Sequence, residues 1–223
     1  MTLGPPGRRT VLLGGAASLG LALAAPHARA VDRARRVFRI LRDGEDIGTH
    51  SLEARLSPPG FEVTIEVDIA VTFLGFTAYR YTLRNHEVWA DRRILEVDST
   101  VNDDGDEVTV AIRRDGDGRL RIDGTDYTGE VSQEAVTTSY YAKPFLERRP
   151  WISTQGGKPL DVSISLTDGG TPAGWKVTGD LETMLYYDEA GEWVGCRFDA
   201  SGAPAEYEVI ENTGPIGAMW RRA

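Results

Sequence analysis

Phe61-Glu62-Val63-Thr64-Ile65-Glu66-Val67-Asp68-Ile69-Ala70-Val71-Thr72-Phe73 alternates without a break. Every odd position is apolar, while the even positions carry Glu, Thr, Asp and Ala. A period of two sends successive side chains to opposite faces of an extended chain, so the segment reads as a β-strand with one buried face. At about 3.3 Å per residue it spans roughly 40 Å, comparable with the width of a compact domain of this size. A strand that long must coil around a core, which points to a barrel or half-barrel rather than a short-stranded sandwich.

Outward from this strand, further candidates lie at residues 37–42, 47–56, 77–89, 94–102, 107–113, 120–122, 160–166, 175–187, 193–198 and 205–210. Between them stand Asp43-Gly44, Pro58-Pro59-Gly60, Asp104-Gly105, Asp115-Gly116, Asp123-Gly124 and Ala190-Gly191, which supply the positive or preset φ that tight hairpins need. The expected fold is therefore all-β: mostly antiparallel and up-and-down, a strongly curved sheet forming a barrel or half-barrel. At most one short helix is expected, in residues 131–146, where neither period is clear.

The first thirty residues read as an address. Arg8-Arg9 and Thr10-Val11-Leu12-Leu13 lead into a glycine-diluted apolar stretch ending at Ala25, and Ala28-Arg29-Ala30 has the small residues of a cleavage site. These features predict a twin-arginine signal peptide over residues 1–30, cleaved near Ala30, and a single β domain over residues 31–223. The stretch is too short for a span of about 20 residues, so no membrane insertion is expected after processing. The expected location is the periplasm or the exterior, and the first partner is the twin-arginine export machinery.

Cys196 is the lone cysteine. It can form no internal disulfide, which suits a chain that folds in the reducing cytoplasm before export. Removing the leader takes the formal charge from -9 to -12, with 22 basic residues against 34 acidic. Such a balance repels nucleic acid, and no nucleic-acid partner is expected.

Motifs that carry chemistry are scarce. His50 and His86 are the histidines beyond the leader, and no His, Cys or carboxylate group has zinc-ligand spacing, so neither a metal nor a cofactor is expected. The acidic loops at residues 102–107 and 115–118 read as hairpin turns rather than calcium sites. Glu87, Trp89 and Asp91 share one strand face, read here as an outward one. If the sheet is an incomplete barrel, some aromatic side chains must face its hollow, and an apolar concavity with a few hydroxyls suits a hydrophobic small molecule. The candidate ligand-binding residues are Phe73, Phe76, Tyr79, Trp89, Tyr140 and Tyr186; no catalytic residue is assigned.

Several motifs in order, Arg42-Asp43-Gly44-Glu45-Asp46-Ile47-Gly48-Thr49-His50, Glu87-Val88-Trp89-Ala90-Asp91, Asn102-Asp103-Asp104-Gly105, Ser139-Tyr140-Tyr141 and Leu185-Tyr186-Tyr187-Asp188-Glu189-Ala190-Gly191, resemble a family of exported bacterial all-β proteins known only as a domain of unknown function. More distantly, the pattern is similar to periplasmic half-barrel carriers of lipids and lipoproteins. The first resemblance implies fold and export; the second is a likeness of architecture. The leading expectation is an exported protein that binds or carries an apolar or lipid-like ligand. The alternatives are a carboxylate enzyme acting on a small substrate through Glu87 with Asp91 or Asp188, and an assembly module of the envelope recognised at a strand edge.

Overall fold

The computed structural model describes residues 32–73, 76–200 and 202–223, with only the backbone of Phe73 and Asp168. The expected leader and its cleavage site lie outside these residues. The described chain opens as successive antiparallel hairpins: β1 (Arg33–Arg42), β2 (Glu45–Ser57), β3 (Gly60–Phe73), β4 (Phe76–Ala90), β5 (Arg93–Asp103), β6 (Asp106–Arg114), β7 (Leu120–Gly124) and β8 (Thr128–Val131). A strap follows, with the two-residue strands β9 (Val136–Thr137), β10 (Trp151–Ile152) and β11 (Pro159–Leu160), and a 3-10 turn at Lys143–Glu147. A second meander comprises β12 (Val162–Asp168), β13 (Ala173–Gly179), β14 (Thr183–Tyr187), β15 (Trp193–Asp199) and β16 (Pro204–Asn212), and the helix α1 (Ile216–Arg222) ends the chain.

β16 pairs antiparallel with β1, joining the two meanders into one thirteen-stranded sheet with edges at β12 and β8. The sheet curves without closing. This is the half-barrel expected from the length of β3. Asp43-Gly44 and Asp104-Gly105 both take positive φ at both residues, the two-residue loop whose twist matches the flanking strands. Asp91-Arg92 does the same without a glycine, which turn composition does not signal.

Two expectations change in detail. The single strand expected at residues 175–187 is two, β13 and β14, which pair with each other. Residues 131–146 hold the short strand β9 and all but the last residue of the 3-10 turn rather than an α-helix, and the α-helix lies at the C-terminus, beyond the last expected strand.

The strap lies where a closed barrel would have its filling. Val136, Tyr141, Ala142, Phe145, Trp151 and Ile152 are fully buried within one cluster with the inward side chains of the sheet. Trp220 of α1 stands edge-on to Trp89 at 5.8 Å and to Phe145 at 5.1 Å, so the helix closes the end of the half-barrel where β3 begins and β4 ends. Glu192 fixes that helix by accepting from the Gly217 and Ala218 amides, each at 2.8 Å, while buried Arg36 approaches it at 3.5 Å.

β3 shows the consequence. Phe61, Val63, Ile65 and Val67 are buried on the concave face, and Glu66, Asp68 and Thr72 are exposed on the other. Beyond Val67 the concave face stops being filled: Ile69 and Val71, in the same alternation, are only half-buried.

Candidate ligand-binding cavity

The space beside Ile69 and Val71 is a cavity of about 730 Å³ at the end of the half-barrel away from α1. Ile47 of β2, Ile65, Val67, Ile69 and Val71 of β3, Leu83 of β4 and Phe198 of β15 give it apolar walls. Cross-strand register assembles its floor. His50 pairs with Val67 and Val67 with Leu83, so the inward side chains of Tyr81 and Asn85 flank the row in which His50 lies. Ser139 and Tyr140 of the strap and Tyr207 of β16 complete it. Charge is confined to the rim, where Asp103 and Asp199 are exposed at the ends of β5 and β15 and half-buried Arg42 ends β1.

The floor is polar and uncharged. Burial drives the His50 pKa down to about 3, so the ring is neutral near pH 7. Its Nδ1 lies 3.5 Å from the Tyr207 hydroxyl, and its ring packs edge-on against Trp193 and Phe38. Burial likewise raises the phenols of Tyr81, Tyr140 and Tyr207, and that of Tyr79 to about 12 with help from its hydrogen bond to Asp103. Tyr140 holds its place with a positive φ of 56°, its ring between Trp151 and Trp193 and its carbonyl accepting from Tyr187 Oη at 2.8 Å.

Three buried polar atoms on this floor have no hydrogen-bond partner among the described residues: His50 Nε2, Tyr81 Oη and Asn85 Oδ1. Buried polar groups are nearly always satisfied, and leaving one unpaired costs about 1–3 kcal/mol. Three residues lining one cavity thus each hold a polar atom that no described protein group satisfies.

Behind the floor lies Glu87, and here the outward reading of Glu87, Trp89 and Asp91 is overturned. Glu87 and Trp89 are fully buried on the concave face, and only Asp91, in the β4–β5 turn, is exposed. Four neutral donors make the buried carboxylate tolerable. Oε1 accepts from Ser139 Oγ at 2.6 Å and Asn85 Nδ2 at 2.8 Å, and Oε2 from Trp89 Nε1 at 2.9 Å and Tyr141 Oη at 3.0 Å. Two of the donors come from the strap, more than fifty residues away, where the pattern of β4 gives no hint of them.

Of the candidate residues, Tyr79 and Tyr140 line the cavity. Trp89 is sealed in the core against Tyr141, Phe145 and Trp220. Phe76 is 77% exposed at the start of β4, and Tyr186 is half-buried between the inward Leu185 and Tyr187, away from the cavity. Phe73 contributes only backbone to the description. His50, Tyr81, Asn85 and Tyr207 were not candidates; strand parity held the signal for β4, since Tyr81 and Asn85 share a face with Tyr79.

Glu87, Asp91 and Asp188 do not form an acid–base pair in a cleft. None lines the cavity, and the Asp188 carboxylate is engaged by the Glu192 amide at 2.9 Å in the β14–β15 turn. His86 lies on the outer face, 4.0 Å from Glu62. Among the described residues no helix is long and apolar enough to cross a membrane.

Comparison with known proteins agrees with this architecture. No curated protein matches the chain. A beta-barrel-like protein of a domain of unknown function, DUF1849, from Brucella abortus superposes with a TM-score of 0.50 at 8% identity, over 82% of this chain and 97% of that one. At that identity the likeness is one of fold alone. The profile of the family described as "Domain of unknown function (DUF6134)" matches residues 38–210, from β1 through β16, and the chain belongs to that family.

Proposed function

We propose that this protein binds and carries an apolar or lipid-like molecule in the half-barrel cavity, outside the cytoplasm after twin-arginine export. One observation carries the reading: an apolar-walled space of about 730 Å³ whose floor holds three buried, unpartnered polar atoms. Ligand pockets of about 300–1,000 Å³ have this composition, apolar walls with a few placed polar groups that set orientation.

Native mass spectrometry of the full chain, expressed with its leader and recovered after export, should show an adduct that denaturation releases. N-phenyl-1-naphthylamine should fluoresce on binding the delipidated chain, and Val67→Trp, which fills the cavity, should abolish the signal. No adduct and no probe binding would refute the reading; probe binding unaffected by Val67→Trp would place the site elsewhere.

A second reading, an assembly module, is favoured by the edge strand β12, whose Val162-Ser163-Ile164-Ser165-Leu166-Thr167 run is uncharged and leaves Leu166 52% exposed. Leu166→Lys should then disperse any complex seen by analytical ultracentrifugation, while leaving probe binding intact.

A further inference from the structure

The floor of the cavity also says which head group fits it. This step rests on the binding function proposed above. Asn85 is the starting point, because its amide has no freedom to choose which end faces the ligand. Its Nδ2 is held by Glu87 Oε1 at 2.8 Å and by Ser139 Oγ at 3.3 Å, and Ser139 spends its own proton on Glu87. Turning the amide over would set its oxygen against a carboxylate oxygen, two acceptors with no proton between them. Asn85 Oδ1 is therefore the end without a protein partner, a buried acceptor that only a donor can satisfy.

The neighbouring groups add no positive charge. The His50 ring is kept neutral by burial, and Tyr81 offers a hydroxyl that can donate or accept. Among the described residues lining the cavity, the other basic side chain is Arg42 at the rim, whose Nε donates to the Ala200 carbonyl at 3.0 Å. A carboxylate or phosphate pushed to the floor would meet a fixed acceptor with the Glu87 carboxylate directly behind it. An ether or ester would leave Asn85 Oδ1 unpaired. An alcohol or a primary amide satisfies it, and can also pair with Tyr81 Oη and His50 Nε2.

We infer that the cavity selects a long-chain molecule with a hydrogen-bond-donating head group that carries no negative charge, such as a hydroxyl or a carboxamide, seated head-first on Asn85, Tyr81 and His50. Glu87 acts as a positioning residue: it touches no ligand and fixes which end of Asn85 is presented.

The test is displacement of N-phenyl-1-naphthylamine from the delipidated full chain near neutral pH by four probes of equal chain length: 1-dodecanol, dodecanamide, dodecyl methyl ether and dodecanoate. The alcohol and the amide should displace the dye at roughly tenfold lower concentration than the ether or the carboxylate, the size of one well-placed hydrogen bond. Asn85→Leu should level the series while the dye still binds. Tyr81→Phe removes a hydroxyl that no protein group uses, so it leaves folding intact and should narrow the preference severalfold even if Asn85→Leu fails to fold.

Dodecanoate or the ether competing as well as dodecanol would overturn the head-group assignment, while dye binding would leave the carrier function standing. An unchanged preference in Tyr81→Phe would overturn the head-first seating. Absence of dye binding altogether would remove both the assignment and the function beneath it.

Discussion

Ser139 Oγ donates to Glu87 Oε1 across 2.6 Å and 52 positions of chain. This bond ties the strap to the wall of the half-barrel, and it joins the packed half of the concave face to the hollow half, since Ser139 lines the cavity and Glu87 is sealed behind it. Glu87→Gln keeps the size and removes an acceptor. Four donors converge on the carboxylate, so the new amide must point its own N–H groups at some of them. The variant should lose about 2–4 kcal/mol of stability in urea unfolding. Glu66→Gln, on the exposed face of β3, should change stability by about half a kcal/mol or less. Equal, small effects would mean that the Glu87 site is open to water.

Val63 and Val71 test the division of one strand into core and cavity wall. Both lie on the concave face of β3, but Val63 is 1% exposed while Val71 is half-buried beside the cavity. Val63→Ala should cost about 2 kcal/mol, from lost apolar burial and the void left behind. Val71→Ala should cost less than about 1 kcal/mol, because the space next to it is already empty of protein. Urea midpoints at unchanged slope measure both, and a Val71 cost matching that of Val63 would mean that this end of the barrel is packed.

His50 gives stability a pH dependence with a defined sign. Its folded pKa, about 3, lies below the ordinary value of 6.5, so the unfolded chain takes up a proton between these values and the folded chain does not. The associated stability is complete above about pH 6.5 and is lost as pH falls toward 3, at up to about 1.4 kcal/mol per unit. Glu62, held down by Ser57 and Arg55, and Glu134, held down by Arg93 and Arg148, act in the same direction only below their ordinary 4.5. From pH 6.5 to 4.5 the histidine should therefore account for a loss of about 2–3 kcal/mol. His50→Phe should flatten urea-derived stability across that window. A wild-type protein equally stable at both ends would show that His50 is hydrated when folded.

The fold was legible because β3 is long and strictly alternating and because Asp-Gly turns separate its neighbours; both are local signals. The strap was not legible as a filling. Its apolar residues follow neither period, and what buries Tyr141 and Phe145 is a concave wall assembled from strands far away in sequence. The cavity was half legible. Aromatic content drew attention to Tyr79 and Tyr140, but also to Trp89 and Tyr186, because composition does not say which side of a strand faces the hollow or how far the strap reaches. The orientation of Glu87 was misread for a related reason: a buried carboxylate is improbable until its donors are known, and Ser139 and Tyr141 reach it only in the folded chain.

The expected leader makes the last prediction. The export receptor reads a pair of guanidinium groups, planar forks that lysine ammonium groups do not reproduce. Changing Arg8 and Arg9 to lysine should therefore stop export while leaving the domain folded, since the hydrogen bonds and core contacts described above are made by residues from β1 onward. Folding in the cytoplasm needs no oxidation, because the lone cysteine, Cys196, is a buried thiol whose pKa is raised by burial. The double-lysine chain should accumulate in the cytoplasm as an unprocessed precursor whose domain resists trypsin and still binds the naphthylamine dye. Processed protein appearing outside the cytoplasm in unchanged amount would overturn the twin-arginine assignment. A precursor that is retained but protease-sensitive would show that the folded state depends on the leader or on export.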